Sequence, residues 1–329
     1  MLRARLNWNP IALVALLLAA FVPRAGAETQ LVVALDGSGQ FTSVQAAISN
    51  APLGSAAHPA VIHIKPGTYR ELIYVQREKR FLHLLGDDSR ATILSFNLFA
   101  SLPGSDGRPI GTFRTPSAWI DADDFVAENI TFENSAGPKG QALAARIDGD
   151  RVAFRHCRFL GWQDTILDNR GRHYYEDCDI SGHVDFIFGA GTAWFENCRL
   201  HCLGNGYITA ASTPCEEPFG FVFDHCAIWG DQPGSRTFLG RPWRPCAAVC
   251  FIHCEMDGVV RPEGWNNWRD PAREKTVRYF EFQSTGAGGN PSARVGWARQ
   301  LTETEAAAWT IERVLGGPDH WRPALKIVR

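Results

Sequence analysis

The 329-residue sequence has no run of lysines and arginines, so it lacks the electrostatic footprint of a nucleic-acid binder. It has no CxxC pair and no histidines suitably spaced beside one, and a zinc site is not expected. No Gly-x-Ser-x-Gly segment is present, which excludes the elbow on which a serine esterase exposes its nucleophile. Beyond residue 27 nothing is apolar enough for the ~20 residues of a membrane span. No lipid-attachment cysteine follows that point, and no linker or composition break divides what remains. One domain over residues 28–329 is expected, with no cofactor and no metal.

What is there describes a globular protein with a sizeable core, 45% hydrophobic and 21% charged. Residues 1–27 stand apart. Arg3 and Arg5 make a basic start, Ile11 to Val22 is mostly apolar, and Ala25-Gly26-Ala27 offers a small-x-small cleavage site. That is the pattern of a secretory signal peptide. The expected destination is extracellular or periplasmic. Removing the segment takes three arginines and no acids, which leaves 35 acidic residues against 30 basic. Nine cysteines in an exported chain suggest disulfides, and the odd count leaves at least one unpaired within the chain.

The cysteines sit in a repeat. Phe154-Arg155-His156-Cys157 recurs as Tyr175-Glu176-Asp177-Cys178, Phe195-Glu196-Asn197-Cys198, Phe223-Asp224-His225-Cys226 and Phe251-Ile252-His253-Cys254. Phe125 to Thr131 reads as an earlier copy with Asn129 in the cysteine slot. The spacings of 28, 21, 20, 28 and 28 suit a parallel β-helix, whose coils stack at about 4.8 Å. The cysteines then form an internal ladder. A disulfide between coils competes with that reading, and Cys178–Cys198 is the pair expected if one bridges. Val44, Ala47 and Ile48 fall at helical spacing near the start. Thr302 with Glu305 opens a helix expected to run to Val314 and to cover the end of the stack.

Two acids in this frame carry a chemical suggestion. Asp164 and Asp185 are 21 residues apart, one coil, so they stack on one face. Neighbouring carboxylates cannot both ionise cheaply; one keeps its proton as an acid while the other serves as a nucleophile. Arg241, in Leu239-Gly240-Arg241-Pro242-Trp243, is the candidate that keeps the second one anionic. Gln163 adjoins Asp164 and Gln141 lies 22 residues earlier, so two amides are placed to donate to an oxyanion. Singly, each of these residues reads as a turn cap or a ladder residue. Their common one-coil registration is what points to catalysis.

With these segments in hand, the chain resembles the pectin methylesterases, or pectinesterases. The matching motifs are Gly67-Thr68-Tyr69-Arg70-Glu71, Gln141 to Arg146, Gly161 to Ile166, Asp185 to Gly189, Leu239 to Trp243 and Pro262 to Trp265. The resemblance implies an all-β fold: a single-stranded right-handed parallel β-helix with a short N-terminal helix cap and a C-terminal helix. It implies hydrolysis of methyl esters at C6 of galacturonate, with methyl-esterified homogalacturonan as partner and a monomer as the working form. It implies Asp185 as nucleophile and Asp164 as general acid and base. Gln141 and Gln163 would stabilise the oxyanion, and Arg241 would pair with the nucleophile. Thr112, Phe188 and Trp243 would meet substrate alongside Gln141 and Arg241.

Departures from the family pattern are small: Ile166 for leucine, Trp162 for tyrosine and His183 for threonine. The inhibitor-like leading region of many plant members is absent between the signal segment and the catalytic domain. Two other readings stay open here: another β-helix enzyme, such as a pectate lyase or galacturonase, and a non-catalytic wall-binding protein. A lyase needs a calcium-binding acid cluster, for which Asp121, Asp123 and Asp124 are the dense acids available.

Overall fold

The computed structural model describes residues 30–231 and 236–323; the expected signal segment lies outside them. Short strands stack coil on coil into an 11-stranded and a 13-stranded parallel sheet, giving the expected right-handed parallel β-helix. The aromatic position of the repeat points inward. Phe154, Tyr175, Phe195, Phe223 and Phe251 pair in register on successive coils. Their ring centroids stand 5.0, 4.4, 4.5 and 4.5 Å apart with nearly parallel planes. Coil spacing and ring-stacking distance coincide, so one ring per coil fills the core without a gap. Each such ring contributes ~2–3 kcal/mol through removal from water.

The residue before each cysteine turns the chain. His156, Asp177, Asn197, His225 and His253 have φ between 50° and 53°, in the left-handed region that His, Asp and Asn tolerate better than most side chains. The following cysteine then points inward. From Cys178 onward its thiol donates to the carbonyl of the preceding coil's aromatic residue, as Cys198 does to Tyr175 at 3.5 Å and Cys226 to Phe195 at 3.4 Å, while Cys157 donates to Ala127. Register corrects one expectation here. Ala127 pairs with Phe154, and Asn129 with φ 56° occupies the turn slot, so Ile130 is the residue in the cysteine slot.

The expected Cys178–Cys198 disulfide is not formed; both are free and buried. In-register stacking makes their side chains run parallel, and each thiol is engaged by a carbonyl of the coil before it. The bridge joins Cys215 to Cys246 instead, two cysteines off the ladder, 31 residues apart with Cα atoms 5.0 Å apart. It ties the loop after Ala211 to the loop that carries Trp243.

The N-terminal helix spans Val44–Asn50 and buries Val44, Ala47 and Ile48. Ser43 caps it, and the Glu71 carboxylate accepts from the Val44 and Gln45 backbone amides. The C-terminal helix resolves into two short ones. Thr302 and Glu305 form the capping box of Glu303–Ala306, and Thr310 caps a second helix, Ile311–Leu315. Val314 and Leu315 pack with Ala153, Tyr174, Trp194 and Val222 on the outer face of the 11-stranded sheet. The tail therefore covers a side of the stack, not its end.

The 13-stranded sheet turns a corner. The strand Asp179–Gly189 pairs first with Arg158–Leu160 and later with Ile166–Asp168. Its pairing with Arg199–Ala211 breaks register twice between Gly182 and Ile187. A Cβ at Gly182 would lie 2.1 Å from that of Phe186, so the bend requires glycine. Asp185 stands on this corner.

Candidate active site

Asp164 and Asp185 both adopt left-handed backbone, with φ of 65° and 52°. It is the same left-handed backbone as at the ladder turns, which aspartate tolerates. The Asp164 amide donates to the Val184 carbonyl at 3.0 Å, which sets the two acids on adjoining coils as expected. They are 7% and 5% exposed. Burial raises the Asp164 carboxyl to about 8, with the Asp185 charge adding to the rise and Arg241 opposing it. Burial also raises Asp185, but there Arg241 opposes through hydrogen bonds as well as charge. Asp185 is thus the acid that ionises first, and Asp164 the one that keeps its proton.

Arg241 reaches Asp185 with two nitrogens, Nε to Oδ1 at 2.8 Å and Nη2 to Oδ2 at 2.6 Å. This fork geometry is the strong form of the ion pair. The guanidinium packs on two rings, its carbon 3.9 Å from the Tyr207 centroid and 3.8 Å from that of Trp268. Sequence reasoning missed both. Tyr207 pairs with Val184 in register, so coil length counted from the Asp185 motif leads to it. Trp268 lies three residues past Trp265, which is fully buried and donates to Glu281.

Gln141 and Gln163 form a parallel bridge, with the Ala142 amide donating to the Gln163 carbonyl at 3.1 Å. Both are partly exposed, Gln163 next to Asp164 in the chain and Gln141 one coil earlier, and neither side-chain amide is taken up by a hydrogen bond among the described residues. Phe188 packs edge-on to Trp243 at 5.8 Å, over Leu143, Leu167 and Ala210. Thr112 opens a short 3-10 turn, Thr112–Arg114. The Gly111 amide donates to Ala100, whose own amide donates to Gln141, so this loop is fastened to the Gln141 coil. Its exposed Phe113 faces Trp243 at 6.4 Å, an aromatic contact also missed. His183 sets its ring edge-on to Trp162 at 5.8 Å.

The acids considered for calcium are otherwise engaged. Asp121 meets Arg77 and Arg170, and Asp124 meets Arg80 and Arg151. These carboxylates fasten turns between coils.

Residues 30–318 match the family described as Pectinesterase. "Pectinesterase 31" of Arabidopsis thaliana is 42% identical over 306 residues, covering 91% of this chain and 96% of the relative. The solved pectin methylesterase from carrot superposes with a TM-score of 0.82 at 33% identity, over 88% of this chain and 93% of that one. A solved pectin methylesterase in complex with a hexasaccharide gives 0.77 at 31% identity, over 90% and 98%. With match, identity and architecture extending over nearly the whole described chain, this protein belongs to the pectinesterase family.

Proposed function

We propose that the chain hydrolyses the C6 methyl esters of galacturonate units in pectin, releasing methanol and leaving a free carboxylate. Ionised Asp185 attacks the ester carbonyl carbon. The oxyanion that forms accepts hydrogen bonds from the Gln141 and Gln163 amides, which no acceptor occupies among the described residues. As the C–O bond to the methoxy group breaks, Asp164 gives its proton to that oxygen, and methanol leaves an acyl-enzyme anhydride. Asp164, now anionic, takes a proton from water as the water attacks the same carbonyl. Asp185 departs as carboxylate, again paired with Arg241, and Asp164 is again protonated.

One observation carries this reading: of two buried acids on adjoining coils, one is paired two-point to an arginine and the other is raised to about 8. A non-catalytic binding protein has no use for that inequality. Phe188 and Trp243 offer apolar faces for sugar rings beside it, and Phe113, which follows Thr112, lies against Trp243. The hexasaccharide held by the related enzyme supports a polymeric substrate. Export is part of the proposal, supported by the composition of residues 1–27 and by the Cys215–Cys246 bridge.

The test is methanol release from highly methylated pectin, with polymer length followed in parallel. Methanol without chain shortening is expected. Chain cleavage, or an unsaturated product, would replace this reading with a galacturonase or a lyase.

A further inference from the structure

On the outer side of the stack, Asp224, His225 and His253 bring three donor atoms within 4.8 Å of one another. Asp224 ends the strand Phe221–Asp224, and the two histidines are the turn residues of successive coils. Cys226 and Cys254 next to them point into the core, so both imidazoles project outward. Nδ1 of His225 lies 2.8 Å from Oδ1 of Asp224, and Nδ1 of His253 lies 3.5 Å from the same oxygen. The His225 and His253 rings stand 4.9 Å apart, and His253 is braced edge-on against Phe282 at 5.4 Å.

The turn position explains why a polar residue stands at 225 and at 253, as Asn197 and Asp177 do on other coils. It does not explain the carboxylate oxygen between them. Oδ1 of Asp224 is buried and accepts no hydrogen bond among the described residues. Glu196, its partner in register, accepts from the Tyr174 hydroxyl. A buried carboxylate oxygen facing two imidazole nitrogens is the kind of donor set that a transition-metal ion takes. Zinc bonds of ~2.0–2.2 Å in tetrahedral array put ligand atoms about 3.4 Å apart. The observed 2.8 and 3.5 Å lie on either side of that edge.

We infer that Asp224, His225 and His253 form a surface site for a divalent transition-metal ion of the zinc class, which clips two coils of the β-helix together. Two imidazoles and a carboxylate favour such a metal over calcium or magnesium, which take oxygen ligands. Solvent completes the coordination. The spacing rules for zinc in compact motifs miss this pair, because here the ligand interval is a coil of 28 residues. The ion's effect is structural, through linkage of binding to folding.

Zinc chloride titrated into chelator-washed protein without a histidine tag, by calorimetry at pH 7.5, tests the inference. One saturable site of micromolar or tighter affinity is expected, with a rise in Tm on adding zinc. His225→Asn and His253→Asn should each weaken binding at least ~10-fold and remove that rise. Asparagine keeps the left-handed turn, as Asn197 shows, so these variants should stay folded. His156→Asn, in the same column but outside the cluster, should bind as wild type. Absence of saturable binding by the wild type, or unchanged binding in the His225 and His253 variants, overturns the inference.

Discussion

Trp268 covers one face of the Arg241 guanidinium, its ring centroid 3.8 Å from the guanidinium carbon. Tyr207 packs on the same guanidinium at 3.9 Å, so the fork that grips Asp185 is braced by two rings. Trp268→Ala should lower kcat about 10- to 100-fold, the scale of effect that small misplacements have at reacting groups. Loosening Arg241 also removes what opposes the raised Asp185 carboxyl, so the acid limb of the pH profile should move to higher pH. Trp268→Phe should restore much of both. Loss of kcat with an unmoved acid limb would show that Trp268 acts on substrate alone.

The alkaline limb belongs to Asp164. Its carboxyl is raised to about 8 and must be protonated to release methanol, so kcat/KM should fall above about pH 8. A profile from pH 4 to 10 reads this directly. Activity that stays level to pH 10 would contradict the acid role.

The same group makes stability depend on pH. A folded carboxyl near 8 lies above its ordinary 3.8, so its contribution is full below pH 3.8 and is lost as pH rises through 8. Asp164→Asn cannot ionise and escapes that loss. The variant's Tm relative to wild type should therefore rise between pH 4 and pH 8.5, by roughly 4 °C or more. A difference that does not change with pH would show that Asp164 is not held protonated by the fold.

Gln163→Ala and Gln141→Ala remove oxyanion donors. Each should cost on the order of 10²–10³ in kcat with little change in KM, because the donated bond strengthens only as charge develops. A change confined to KM would make these amides substrate contacts in the ground state.

Much of the fold was legible because one chemical pattern repeats at the coil interval. Aromatic-x-x-Cys set the register, and register put Asp164 beside Asp185 and Gln141 beside Gln163. The reading slipped by one residue at Asn129, since asparagine suits both a ladder and a left-handed turn. Cys215 and Cys246 were not legible as a pair, because loops set their approach and coil spacing does not. Trp268 was hidden for a related reason: it arrives on a loop after the repeat has faded, and only folding carries it to Arg241. The second C-terminal helix was within reach, for Thr310 is an N-cap type inside the expected helical run.

The nucleophile is tested most directly by methanol release from highly methylated pectin, wild type beside Asp185→Asn at matched concentration and with matched circular dichroism. The variant should be at least ~10³-fold slower. Comparable turnover by the two proteins would contradict the assignment of Asp185 as the attacking group.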